Sequence, residues 1–225
     1  MSIKLNIPDT EDSAEFLKAA KKLTKNPEQR KVLSYFLDDC CVRRRLFGLK
    51  DADYEKLVKS KIDSLNLKQR ALAKIGLDEE EISEIPPVNF IGYWYDDNLV
   101  RQTESGKYVS STWMSTWLFF SKTQMYVYDY AYCMCADAKE EHTEEYFYKD
   151  VTSISTASES VKPKWFANKV GCLFSKKGVA SKELDTTKFQ IIVPGDKYRV
   201  AMESSEEMER MVQAMKQQLR DRKNS

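Results

Sequence analysis

The sequence predicts an α+β chain: a small helical bundle over residues 1–85, then an antiparallel β-barrel or sandwich over 86–225 capped by an amphipathic helix. Three observations predict it. Apolar residues recur at helical spacing up to the pair Pro86-Pro87. After it they alternate at strand spacing, most strictly in "QMYVYDYAYCM" (124–134). At the end, Met208, Met211, Val212, Met215 and Leu219 return to one helical stripe with polar residues between them.

The helical front carries its own punctuation. Asn26-Pro27-Glu28-Gln29 offers an N-cap, a proline at the first helical position and a glutamine at the third, ahead of Val32, Leu33, Tyr35, Phe36 and Leu37. Gly48 is a fitting stop. Asp53 is placed to cap the next helix, where Tyr54, Leu57, Val58, Ile62 and Leu65 keep i, i+3, i+4 spacing. Asn66 with Gln69 repeats the cap before Leu72, Ile75 and Gly76, and Asp78 with Glu81 opens a short last turn before the prolines.

Beyond the prolines, "VNFIGYWY" (88–95) and "TWMSTWLFF" (112–120) are aromatic and β-branched, as strands are. In 124–134 Tyr126, Tyr128, Tyr130 and Tyr132 share one face, and Met125, Val127, Ala131 and Cys133 the other. Glu144–Tyr148 reads as the next strand, Lys149-Asp150 as a tight turn, and Val151–Ser158 as a weakly alternating strand. "KFQIIV" (188–193), "PGD" (194–196) and "KYRVAM" (197–202) make a hairpin. Ser204 and Glu207 form a capping box for the final helix.

About seven antiparallel strands followed by one amphipathic helix resemble the pleckstrin-homology (PH)-like superfold. The resemblance rests on "WLFFSKTQMYVYDY", "EEYFYKDVTSIS", "KFQIIVPGDKYRVAM" and "SSEEMERMVQAMKQQL", and covers about residues 88–222. The whole chain also resembles bacterial proteins that join a helical front to such a module. The resemblance carries no catalytic motif, and the superfold hosts many functions. In phosphoinositide-binding relatives the first hairpin loop is basic. Here the corresponding turn is expected at Ser121-Lys122-Thr123, with Lys122 alone, which speaks against a headgroup site.

Composition bounds the function classes. In 225 residues, 42% hydrophobic and 32% charged, only seven are glycine and six proline, a globular balance. A net charge of +1 gives no global field for nucleic acid. The start "MSIKLNIPDTEDS" lacks a secretory apolar core, and five cysteines make a poor disulfide framework, so a reducing cytoplasm is the expected setting. Neither G-x-G-x-x-G nor G-x-x-x-x-G-K-[ST] occurs.

Candidate chemistry is sparse. The lone His142 stands in an acidic stretch and is expected as a solvated loop residue. Cys40-Cys41 and Cys133-Met134-Cys135 lack duplicated C-x-x-C spacing and are expected as small buried hydrophobes, not metal ligands. Arg43, Arg44 and Arg45 point different ways on a helix beside Asp38, Asp39, Asp51 and Asp53. No cofactor, metal or catalytic residue is implied, although an unrecognised enzyme site would need acids such as Asp129 and Glu145 to converge.

Two surfaces remain. One is the tyrosine face, Tyr126, Tyr128, Tyr130 and Tyr132, where the helical front leaves it bare. The other is 160–188, with seven Lys against one Glu and one Asp. There Trp165 and Phe166 stand among Lys162, Lys164 and Lys169, with Lys176 and Lys177 beyond them. The expected function is a non-enzymatic interaction module for a protein partner. The alternative is a peripheral binder of an anionic membrane surface or phosphorylated ligand through the basic segment.

Overall fold

The computed structural model describes residues 3, 5, 7, 13–37, 48–78, 80, 85–167, 183–202 and 205–223. Cys40, Cys41, Arg43, Arg44, Arg45, Glu81, Lys169, Cys172, Lys176, Lys177 and Ser204 lie outside them, as do the side chains of Phe166 and Glu207.

The front holds α1 (Ser13–Ala20), α2 (Pro27–Leu37), α3 (Asp51–Ser64) and α4 (Leu67–Ile75). Asn26 caps α2 as its sequence predicts: its Oδ1 accepts the Glu28 N–H at 2.9 Å. Gln29 does not complete a capping box. It is buried, and its Nε2 donates to Asp137 Oδ1 at 2.7 Å, tying α2 to the β half. Asp53 is not a cap either. Helix α3 begins two residues earlier, without a side-chain cap, and Asp53 stands in its first turn, where a carboxylate favours the helix dipole. Asn66 bounds α4 through a left-handed backbone, φ 45°, and not through its side chain. Gly76 ends α4 at φ 80°, a conformation that costs glycine nothing, and its N–H bonds Leu72 O at 2.9 Å.

The back half is ten strands in three sheets, with no closed barrel among the described residues. β1 (Val88–Trp94), β4 (Thr112–Phe120), β5 (Gln124–Cys133) and β6 (Lys139–Phe147) form one antiparallel sheet in that order. β10 (Asp196–Ala201), β9 (Leu184–Val193) and β7 (Ser153–Val161) form a second, also antiparallel. A third, small sheet joins β3 (Tyr108–Ser110), β2 (Leu99–Gln102) and β8 (Trp165–Ala167), with β8 parallel to β2. The turn 121–123 therefore joins the second and third strands of the four-stranded sheet. Its first two strands are joined by residues 95–111, which carry β2 and β3. The opening of β6 at Lys139 also puts His142 on a strand, not in a loop.

The first two sheets face each other. Phe90 of β1 stacks on Phe189 of β9 at 4.7 Å, and Tyr146 of β6 meets Tyr198 of β10 edge-on. Gly92 is required by this approach, because a Cβ there would stand 3.1 Å from the Ala201 carbonyl carbon. The turn Tyr148–Asp150 is one turn of 3₁₀ helix and leads into β7.

The final helix, α5 (Glu206–Lys223), caps one end of the sandwich. Its cap is Ser205, whose Oγ accepts the Met208 N–H at 3.2 Å. Val212, Met215 and Leu219 are buried, and Met208 and Met211 half-buried. Met215 and Leu219 enclose a small apolar hollow with Phe120, Met125, Tyr148 and Ile154. No described helix is long and apolar enough to cross a membrane.

The change of period at Pro86-Pro87 does not divide the core. One hydrophobic cluster runs from Phe16, Phe36 and Tyr54 in the front through Trp113 and Tyr130 to Phe189 and Leu219. Tyr54 is wholly buried, stacks between Tyr35 and Tyr93, and donates its hydroxyl to Ser110 O at 2.5 Å. Arg101 of β2 is buried too. It donates to Tyr35 O and lies 4.7 Å over the Tyr35 ring.

Candidate functional site

At the end of the sandwich away from the hollow under Met215 and Leu219, a cleft of about 400 Å³ opens between the sheets. It exists because two strands stop at different levels. β10 ends at Ala201, paired with Lys188, whereas β9 begins four residues before that pair, at Leu184. Among the described residues, Leu184–Thr187 are paired with β7 on one side only. The opposite wall is the end of β1 and the turn beyond it: Tyr93, Trp94, Tyr95 and Asp96. Lys107, Val161 and Met202 complete the lining with Asp185, Thr186, Thr187 and Lys188.

The lysines of this cleft are already engaged. The Lys188 ammonium lies 3.0 Å from Glu159 Oε2 and 4.6 Å over the Trp94 ring. Glu159 also accepts Gln190 Nε2 at 3.3 Å and meets Arg199 Nε at 3.2 Å. The Lys188 hydrogen bond, aided by its charge and that of Arg199, holds the Glu159 carboxyl below its ordinary range. Lys107 Nζ stands 3.8 Å from Glu55 Oε1. The acids differ. The Asp96 and Asp185 carboxylates have no hydrogen bond or ion pair among the described residues. The indole N–H of Trp94 is buried and likewise without an acceptor there. A cleft with an aromatic wall, two carboxylates unengaged among the described residues and a strand edge unpaired among them is equipped to bind.

The surfaces expected from sequence fall elsewhere. The tyrosine row is covered by the chain itself: Tyr128 and Tyr130 are buried, and Tyr126 and Tyr132 half-buried. Arg70 of α4 lies 5.3 Å over the Tyr130 ring and makes a two-pronged bond to Glu141 at 2.8 and 2.7 Å. The Tyr128 hydroxyl donates to the same carboxylate at 2.7 Å, and Lys61 of α3 covers Tyr132 at 4.7 Å. The partner of that face is the helical front.

Trp165 is not a surface residue. It is fully buried, stacks on Phe16 at 4.8 Å and donates Nε1 to Phe36 O at 3.2 Å. That burial removes it from any membrane contact, because the front closes over β8. Lys162 pairs with Glu183 at 3.4 Å, and the Lys164 N–H bonds Asn98 O at 3.0 Å. Phe166 lies on β8, opposite Val100. Lys169, Lys176 and Lys177 fall outside the described residues.

Asp129 and Glu145 do not converge. They sit on opposite faces of β5–β6, Asp129 buried inside and Glu145 exposed outside. Desolvation pushes the Asp129 carboxyl up to about 7 while Thr116 Oγ1 donates to it. His142 is half exposed, 3.9 Å from Glu140. Cys133 and Cys135 are buried with their sulfurs 3.4 Å apart.

The cleft has little signature in the sequence. Its one local signal is "YWYDD" at 93–97: three consecutive aromatics put rings on both faces of a strand end, and two acids come next. The other wall comes from residues nearly a hundred positions away. No family model matches the chain, and no curated protein or solved structure matches it either.

Proposed function

We propose that this chain is a PH-like binding module, without a catalytic role, that recognises a protein partner at the open end of its sandwich. The strand order supports the PH-like reading. Four antiparallel strands, then three facing them, then a helix across one end succeed one another along the chain, with β2–β3 and β8 as insertions. The single observation that carries the function is the cleft beside Trp94, a concave surface of about 400 Å³ in which two carboxylates are not engaged among the described residues. The tyrosine face and Trp165 are spent on holding the helical front in place.

Photo-crosslinking tests this. Benzoylphenylalanine replaces Tyr95 in the cleft or, as a control, the exposed Phe147 on the outer face. The expected result in native lysate is a discrete protein adduct from position 95 that T187R, which fills the cleft, abolishes. Equal adducts from both positions, or adducts indifferent to T187R, would remove the cleft as the recognition surface.

A further inference from the structure

Resting on that reading of the cleft, we propose that its occupant is an extended peptide segment carrying a lysine or arginine, bound as an added strand against β9 beyond the end of β10. The backbone argues for a strand. In an antiparallel sheet the N–H and C=O of a residue point to the same side, and the side alternates along the chain. Thr152 N–H donates to Ile192 O at 2.7 Å, so the even-numbered residues of β9 turn their backbone groups toward β7. The odd-numbered ones turn the other way, which Phe189, Ile191 and Val193 use for β10.

Asp185 lies past the end of β10 and faces the cleft with its backbone groups directed away from β7. An open strand edge inside a cleft accepts one more strand, and main-chain bonds then supply affinity without dictating sequence. The edge Leu184–Thr187 is four residues long, room for three or four residues of peptide at about 3.4 Å each.

Charge selects the side chain. Lys188 and Lys107 each face an acid of this chain, whereas Asp96 and Asp185 are unengaged among the described residues. A cation entering the cleft meets two carboxylates that no lysine of this chain neutralises among the described residues; an anion meets lysines that would have to leave Glu159 or Glu55, beside the neutral indole N–H of Trp94. The cleft therefore discriminates by charge and leaves the rest of the peptide to backbone pairing.

A phage-displayed library of random dodecapeptides, panned on the full chain, provides the probe. Enriched peptides are synthesised and measured by fluorescence polarisation. The expected outcome is enrichment of extended sequences with a Lys or Arg, whose affinity falls at least tenfold on N-methylation of one central backbone amide. Affinity should fall several-fold in D96N and in D185N, and vanish with T187R. N-methylation alters only the peptide, so that arm does not depend on how a variant folds. Binders lost with T187R but indifferent to N-methylation would overturn strand addition while leaving the cleft reading intact. Binders of acidic composition would overturn the charge argument. No enrichment, or binders indifferent to T187R, would overturn the inference and the cleft together.

Discussion

The two faces of the four-stranded sheet come from the same alternating strands and are held by different forces. The inner face has an apolar centre: Phe90, Leu118 and Val127 are fully buried against the second sheet, with the Asp129 carboxylate buried among them. The outer face is a row of tyrosines and tryptophans covered by helices, which add to their apolar packing the charged contacts of Arg70, Lys61 and Glu141. Burial alone does not tell the faces apart, since Tyr128 outside is as inaccessible as Val127 inside. The difference is in what breaks them. Area buried between apolar layers is insensitive to pH and salt, whereas charged hydrogen bonds at a half-exposed junction respond to both.

The largest expected effect belongs to the inner face. Phe90→Ala removes a ring stacked on Phe189 in a closed layer, and such truncations cost about 3–5 kcal/mol. Urea denaturation should show that loss with no dependence on ionic strength. A cost below about 1 kcal/mol would mean that the two sheets collapse around the gap, and that the inner face is not the tighter of the two.

Next comes the exception within that face. Asp129 ordinarily titrates at 3.8 and is pushed up to about 7 by burial. Between those values the folded chain holds a proton that the unfolded chain has released. Stability therefore falls as pH rises from about 4 to about 7 and levels off above. Asp129→Asn keeps an oxygen for the Thr116 hydroxyl and removes the charge. It should gain about 2–4 kcal/mol at pH values above about 8 and almost nothing below about 4. Denaturation midpoints of both proteins across pH measure this, and a gap that does not change with pH would contradict it.

The sequence discloses these faces unequally, for physical reasons. The strict alternation of 124–134 identifies β5 and both its faces, because a two-sided sheet imposes period two on a strand with unlike neighbours. The hairpin of β9 and β10 and the stripe of α5 are legible for the same kind of reason: both are local patterns. β2, β3 and β8 are not, being four, three and three residues long. Their pairing is also distant, since Leu99 lies opposite Trp165. The first half of β6 is silent as well. "KEEHTEE" is an edge strand, half-buried at most throughout, so no apolar alternation marks it. Trp165 shows the limit most clearly. An aromatic between lysines looks like a surface anchor, and only the return of Phe16 and Phe36 from the far end of the chain makes it core.

The smallest effect sharpens the outer face. The Arg70 hydrogen bond, helped by Tyr128 and Lys74, holds the Glu141 carboxyl down from 4.5 to about 2. A depressed carboxylate stabilises the fold above its unfolded value and loses that contribution as pH falls toward the folded one. Arg70 is 41% exposed, so water screens the pair heavily, and Glu141→Gln should cost roughly 1 kcal/mol at neutral pH. The cost should shrink in about 1 M salt and disappear near pH 2, where the native carboxyl is itself protonated. Because Gln still accepts from Tyr128, the loss isolates the charged clasp from the tyrosine packing beneath it. A salt-independent cost equal to that of Phe90→Ala would show that the helical front is held as the inner layer is, by apolar burial, and the distinction between the faces would fall.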